Sequence, residues 1–315
     1  MAHPNIAIAK YWGKKAVSGN IPAVPSLSVT LAGMTTTTDV ELRANASRDS
    51  LALDGHEATG EALTRAAALL DRVRRRAGSK IFARVTSAND FPTASGLASS
   101  ASGFAALALA ATRAYGLELD AAEVASLARE SSASAARSFF AGYASLDTDG
   151  VARQVAPADE LDLHVLVCVT TEAKKPIGST SGMMATAKNS PFYAVWLDVA
   201  PRIFDDVLSA IRTKDFERLG LAAEASAFAM HGSALAAGVA YMSDTTHAVI
   251  AEVRALRNEG MLAFVTMDAG PHVKVLVQEA DRAKCAARME SVPGVLRVIR
   301  TRPGEGAAIV EKATP

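Results

Sequence analysis

The stretch Phe91–Tyr115, FPTASGLASSASGFAALALAATRAY, joins a Gly/Ser-rich turn to an Ala/Leu-rich run and decides how this chain is read. From Phe104 to Tyr115 the run is apolar nearly all round, which marks a buried central helix rather than an amphipathic surface one. The first amides of such a helix lack intrahelical partners, and the helix dipole adds positive potential there. Gly96 permits close approach of the backbone, and Ser99 and Ser100 add hydroxyl donors, so the turn can cradle a phosphate. A Ser-rich cap on a core helix fits the same residues. No GxxxxGK or GxGxxG pattern occurs, which excludes the P-loop and Rossmann nucleotide sites.

The flanking chain reads as alternating α and β. Asn5–Trp12 is a short apolar strand running into Gly13. Leu27, Val29 and Leu31 alternate with polar residues, as do Val40 and Leu42, which predicts strands paired antiparallel with each other. Leu63, Ala66, Ala67, Leu70 and Val73 fall at helical spacing before Gly78, and Ile81–Ser87 is a strand. Asp120 with Glu123 is a capping box for the next helix, which ends near Glu130. Beyond a buried strand at Leu161–Thr170 comes a Lys/Ser/Gly segment, Lys174–Gly182. Helices then follow at Ile203–Ile211, Phe216–Met230 and Thr245–Leu256. Leu262–Met267 and Val273–Val277 are strands about an Ala-Gly-Pro turn, and a helix (Glu279–Met289) and a strand (Val295–Thr301) close the chain. The division falls near residue 170, giving domains 1–170 and 171–315, both α+β, with a ligand cleft between them.

Composition narrows the function classes. The 315 residues are 50% hydrophobic and carry 33 Lys and Arg against 33 Asp and Glu, which excludes intrinsic disorder and disfavours a nucleic-acid binder acting through bulk charge. Cys168 and Cys285 read as small buried hydrophobes in a reducing compartment. The N-terminus has no secretory pattern and no apolar run is long enough for a membrane span, so a cytoplasmic protein is expected. The neutral total conceals a segregation: residues 1–38 hold three lysines and no acid, and Arg113 is the one charge between Asp90 and Glu118. Lys10 and Lys14, set around Tyr11 and Trp12 without acidic neighbours, make an anion site.

In order along the chain, NIAIAKYWGK, PTASGLASSASGFAAL, SASAARS and TMDAGP resemble the mevalonate diphosphate decarboxylases, from Asn5 to Pro271. These belong to the superfamily of galactokinase, homoserine kinase, mevalonate kinase and phosphomevalonate kinase. KYWGK together with DAGP is the specific part. The resemblance implies an α+β, two-domain small-molecule-kinase-like fold, with a ribosomal-protein-S5-like N-terminal domain and a ferredoxin-like C-terminal domain. It implies ATP-dependent conversion of mevalonate 5-diphosphate to isopentenyl diphosphate, releasing ADP, phosphate and CO2, with ATP and Mg2+ required. Asp268 then matches the catalytic aspartate, Lys10 the lysine that holds it ionised, and Arg137 the arginine on the substrate carboxylate. Tyr11, Trp12, Lys14, Ser132, Ser134 and Ser179 fall at the substrate, and Gly96, Leu97, Ala98, Ser99 and Ser100 at the ATP phosphates. No Mg2+ ligand is assigned. Partners are small molecules alone, with a possible homodimer.

Several positions depart from the family pattern. Val24 and Pro25 stand where polar residues are usual, the Ala135-Ala136 pair before Arg137 loses a Cys, and His272 follows DAGP in place of Asn, next to the chemistry, where it could alter hydrogen bonding or the pH response. The chain begins close to NIA, so either its start is placed late or the edge strand ahead of NIA is shortened. His164 is expected to be a satisfied core histidine, and His231 aligns with a histidine near the family's substrate cleft. Two other functions stay open: a decarboxylase of mevalonate 5-phosphate that gives isopentenyl phosphate, and a non-catalytic ligand-binding relative.

Overall fold

The structure, a computed structural model, describes residues 1–91, 99–173 and 176–310. Its elements run β1 (Asn5–Ala9), β2 (Ser26–Thr30), β3 (Thr36–Arg43), β4 (Ser50–Leu53), β5 (His56–Glu57), α1 (Gly60–Arg76), β6 (Phe82–Asn89), α2 (Ser99–Ala114), α3 (Ala121–Ser131), a 3-10 helix (Ala133–Phe139), β7 (Tyr143–Leu146) and β8 (Ala152–Ala156). After these come β9 (His164–Val169), α4 (Ser179–Asn189), α5 (Tyr193–Arg212), α6 (Phe216–Leu235), α7 (Asp244–Asn258), β10 (Phe264–Met267), β11 (Val273–Val277), α8 (Glu279–Glu290) and β12 (Arg297–Thr301). The chain is α+β and folds in two domains.

Among the described residues three four-stranded sheets form, in the orders β1-β2-β7-β8, β3-β6-β4-β5 and β10-β11-β9-β12. The sequence pairs the strands around Leu27 and Val40 with each other, but β2 lies between β1 and β7 while β3 pairs along β6. Period-two patterning fixes which face of a strand is buried, not which strand it meets. Ala2 forms an isolated bridge with Thr36, so the chain ahead of β1 still touches a strand. His164 is not a core histidine: it opens β9, and its Nε2 lies 2.9 Å from Glu279. Cys168 and Cys285 are free and buried. Among the described residues no helix is long and apolar enough to cross a membrane.

Helices α1, α2 and α3 close over the β3–β6 sheet through Leu70, Val85, Leu107 and Val124. The capping box read at Asp120 and Glu123 starts α3. A second core is shared between the halves of the chain. Ile6, Ile8 and Val29 from the first sheet pack with Val165, Val167 and Leu276 from the third, and with Val207 and Leu219 from α5 and α6. Helix α5 begins ten residues ahead of the predicted Ile203, at Tyr193, and contains Pro201. A proline inside a helix costs about 3 kcal/mol, but burial of Trp196, Ala200, Phe204 and Val207 along one face offsets it.

Helix α6 lies on both β1 and β10. Close approach to β10 requires Gly220, where a Cβ would overlap the Phe264 ring. Gly220→Ala is therefore expected to lower stability by about 1–3 kcal/mol in urea titration. Gly232 lies in the same helix with open space at its Cβ position, so Gly232→Ala should be neutral or stabilising by up to about 1 kcal/mol. Equal effects at the two positions would refute this packing account.

Candidate active site

Strands β1 and β10 end side by side, which brings Lys10 and Asp268 together across 258 residues of chain. Lys10 Nζ donates to Asp268 Oδ1 at 2.9 Å and to the Ala7 carbonyl at 2.6 Å. Its backbone N–H donates to Ser226 Oγ on α6 at 2.9 Å. The second oxygen, Asp268 Oδ2, lies 3.2 Å from Lys274 Nζ on β11. Lys10 and Lys274 are each 2% exposed.

Burial alone would raise the Asp268 pKa, but the adjacent Lys10 and Lys274 ammonium groups outweigh it and hold the carboxyl well below the usual carboxylate range. Lys10 is pulled down to about 8, chiefly by burial, with Asp268 opposing and Lys274 and Arg137 adding to the fall.

Arg137, from the 3-10 helix, is also 2% exposed. One guanidinium nitrogen donates to Ser26 Oγ at 2.8 Å, while its buried Nε has no hydrogen-bond partner. Burial draws its pKa down to about 10, against the pull of Asp268 and Tyr11, so it stays charged at neutral pH. Lys10, Arg137 and Lys274 against Asp268 are three cations facing one carboxylate, a formal surplus of two positive charges in a buried place. Such a surplus is costly unless an anion joins it. The site is therefore built to receive anions, and a mostly unpaired planar guanidinium suits a carboxylate in particular.

The other sequence-assigned residues fall in two groups. Ser132 follows α3 and Ser134 stands in the 3-10 helix, with their hydroxyls 3.2 Å apart. Asn5 Nδ2 ties that helix to β1 through the Ser134 carbonyl at 2.9 Å and Ser138 Oγ at 2.7 Å. Lys14 Nζ donates to Asn20 Oδ1 at 2.7 Å and lies 3.4 Å from Thr180 Oγ1, one residue after Ser179 at the start of α4. The Asn20 amide donates in turn to the Glu130 carbonyl at 2.8 Å, linking Lys14 to the end of α3.

Tyr11 has a buried hydroxyl without a partner, and burial raises its pKa. Trp12 is buried among Val24, Met183 and Trp196, with its carbonyl accepting from the Trp196 indole at 2.7 Å. Val24, one of the departures, thus fills an aromatic core. Two glycines admit that core's tyrosines: a Cβ at Gly13, whose φ is +109°, would overlap the Tyr193 hydroxyl, and one at Gly182 would overlap that of Tyr241.

Helix α2 begins at Ser99 and Ser100, partly buried and exposed respectively. Gly96, Leu97 and Ala98 lie outside the described residues. His272 is fully buried, and its Nδ1 accepts from the Thr170 N–H at 3.2 Å. Burial, with Lys274 and Arg297, lowers its pKa to about 3, so it carries no proton near neutrality and does not itself set a neutral-range pH response. His231 is likewise neutral, lowered to about 4 chiefly by burial and then by Lys10, which outweigh the opposing pull of the Met267 and Asp268 backbone and the Asp268 charge. Lys274, Ser26, Ser226 and Asn20 were not read from the sequence; a lysine inside the apolar strand VKVLV was the available signal for the first.

Among the described residues no group of three His, Cys, Asp or Glu could hold a metal ion. The carboxylate of the site, Asp268, is already engaged by two lysines. This suits an Mg2+ held mainly by phosphate oxygens and water rather than by a protein cage.

Fold and site together define an enzyme of anionic small molecules. Residues 2–155 match the diphosphomevalonate decarboxylase-like N-terminal domain, and residues 165–305 match the mevalonate 5-diphosphate decarboxylase C-terminal domain. The diphosphomevalonate decarboxylase of Candida albicans is 31% identical over 96% of this chain and 94% of its own. A solved structure of MDDEF in complex with MVAPP, AMPPCP and magnesium is 38% identical, covers 97% of this chain and 96% of its own, and has a TM-score of 0.90. For the mevalonate diphosphate decarboxylase of Staphylococcus aureus the figures are 34%, 98%, 96% and 0.92. The chain belongs to the diphosphomevalonate decarboxylase family.

The buried ammonium of Lys10 sets a pH limit. Its pKa is lowered to about 8, so the cation is present below that pH and is lost as pH rises through it. The profile of kcat/KM, which reports the free enzyme, should therefore fall on the alkaline side near pH 8. A plateau continuing to the ordinary lysine value of 10.5 would overturn the assignment of Lys10 to the working site.

Proposed function

We propose that the protein catalyses the ATP-dependent decarboxylation of mevalonate 5-diphosphate, giving isopentenyl diphosphate, ADP, phosphate and CO2. The observation that carries this reading is the Asp268 carboxylate between Lys10 and Lys274, beside the buried and mostly unpaired Arg137. The relative solved with MVAPP, AMPPCP and magnesium supports the substrate pair. The reaction joins the two halves of the chain, divided near residue 170, with β9 paired into the C-terminal sheet.

In this reading Arg137 grips the substrate carboxylate through two parallel N–H donors. Asp268, held ionised by its lysines, accepts the hydrogen bond of the tertiary 3-hydroxyl and aims that oxygen at the γ-phosphorus of ATP. Phosphoryl transfer passes through a loose transition state, so orientation of the hydroxyl counts for more than the basicity of its acceptor. A strongly acidic carboxyl group can therefore serve. The hydroxyl proton leaves through Asp268 as the new C3–O–P linkage forms and ADP departs.

The C3–O bond then breaks and phosphate takes the electron pair. The C1–C2 bond breaks in turn, its electrons form the C2–C3 double bond, and CO2 is released. The cationic surplus from Lys10, Arg137 and Lys274 stabilises the departing phosphate. Tyr11, Lys14, Ser132, Ser134 and Ser179 hold the diphosphate, with Trp12 as a packed wall behind Tyr11. The backbone at Gly96, Leu97 and Ala98, with Ser99 and Ser100, takes the ATP phosphates. Mg2+, when bound, neutralises charge on the β- and γ-phosphates, with the Ser99 and Ser100 hydroxyls as its protein donors.

Purified protein incubated with ATP, Mg2+ and mevalonate 5-diphosphate should release CO2 and ADP in equal amounts, with little turnover of mevalonate 5-phosphate. Asp268→Asn should lower kcat by at least about a hundredfold, with substrate binding by calorimetry kept within a few-fold. Absence of CO2 from the diphosphate would reject the reading. Preferential turnover of the monophosphate would reassign the substrate, and binding without any turnover would mark a non-catalytic relative.

A further inference from the structure

We propose that Lys274 is a positioning residue for the phosphoryl-transfer step. It pins the second oxygen of Asp268 opposite Lys10, so that the carboxylate stands in one fixed rotation toward the substrate hydroxyl. The inference rests on the reaction proposed above and assigns a residue that the family motifs KYWGK and DAGP do not contain.

The placement follows from strand register. On β11, Val273, Val275 and Val277 pack into one core, while Leu276 packs into the core shared with β1. Lys274 alternates with the valines and so lies on the Leu276 side. It stands opposite Thr266 of β10, whose hydroxyl donates at 3.3 Å to the Ala7 carbonyl that also receives Lys10 Nζ. Lys274, Thr266, Ala7 and Lys10 thus form one continuous polar seam between β1 and the β10–β11 hairpin. An apolar side chain would serve stability at least as well there, since a buried ion pair commonly gains little over well-packed hydrophobes. A lysine in that strand is explained by what it does to Asp268.

With both carboxylate oxygens paired, rotation about the side-chain bond would break one ion pair or the other. The 2.9 Å contact to Lys10 alone would leave that rotation free. The charged and titratable groups facing Asp268 are Lys10 from the end of β1, Lys274 from β11, Arg137 from the 3-10 helix and the neutral His231 from α6. Tyr11 adds an un-ionised phenol, and neutral His272 stands near Lys274 with Arg297 behind it. Removing the Lys274 charge raises the Asp268 pKa, and it also raises that of Lys10, which loses a like-charged neighbour. Both pH limbs therefore move in the alkaline direction.

The test compares the wild type with Lys274→Met, Lys274→Gln and Lys274→Arg across pH. Wild-type CO2 release establishes the reaction independently of the variants. The Met and Gln variants should lose roughly tenfold or more in kcat, keep KM for mevalonate 5-diphosphate within about twofold, and show the alkaline limb displaced to higher pH. Lys274→Arg, which keeps the charge, should keep the limb near its wild-type position. Gln retains a hydrogen-bonding group, so the comparison stands if the Met variant fails to fold. An unmoved limb in the Met or Gln variant, a rise in KM with kcat unchanged, or an Arg variant indistinguishable from Gln would each overturn the inference.

Discussion

Burial of Lys10 and Lys274 on either side of the partly exposed Asp268 carboxylate is the constraint on which the rest of the structure depends. An isolated ion in a protein interior costs several kcal/mol, and breaking a buried pair leaves its partner uncompensated. The three groups are tolerable only as a set, which requires the end of β1, the end of β10 and the middle of β11 to hold fixed relative positions. The shared core of Ile6, Ile8, Val165, Val167 and Leu276 supplies that rigidity, and α6 fastens both strands from one side. Asp268 remains ionised because two ammonium groups outweigh its loss of hydration.

The proposed substrate side is built by different means. Lys14 is half-exposed and oriented by one amide, Asn20, whose other bond reaches the end of α3 beside Ser132. The aromatic cluster around Trp12 sets the chain between Lys10 and Lys14 in place, and Gly13 and Gly182 allow tyrosines to approach the backbone there. A rigid, buried centre beside a more open rim of hydroxyls and one lysine matches the proposed division of labour. The proposed chemistry needs fixed geometry at C3, whereas a diphosphate can be held by several adjustable contacts.

Local signals were legible wherever the physics is local. The stop of α1 before Gly78, the Asp120 capping box and the β10–β11 hairpin about Ala-Gly-Pro all arise from residues within a few positions of each other. Strand partnership was not legible: β2 and β3 are consecutive in sequence yet lie in different sheets. The start of α5 was hidden by Pro201, because an apolar face buried by tertiary packing overrides the local penalty. Strands β4, β5, β7 and β8 escaped because none of them alternates buried and exposed positions, so no period-two pattern stands out.

By itself the sequence determined the family, the anion-binding character of the acid-free N-terminal stretch, and the candidacy of Asp268, Lys10 and Arg137. Those follow from residue types at short spacing and from motif order, both of which the chain carries in one dimension. Only the tertiary structure decided that Asp268 answers to two lysines, that Arg137 rests on Ser26 with its Nε unpartnered, and that His272 is neutral. Each of these depends on distances between segments up to 258 residues apart and on the loss of hydration around them. Charge state and hydrogen-bond partnership are properties of a buried neighbourhood, which exists only once the strands have paired.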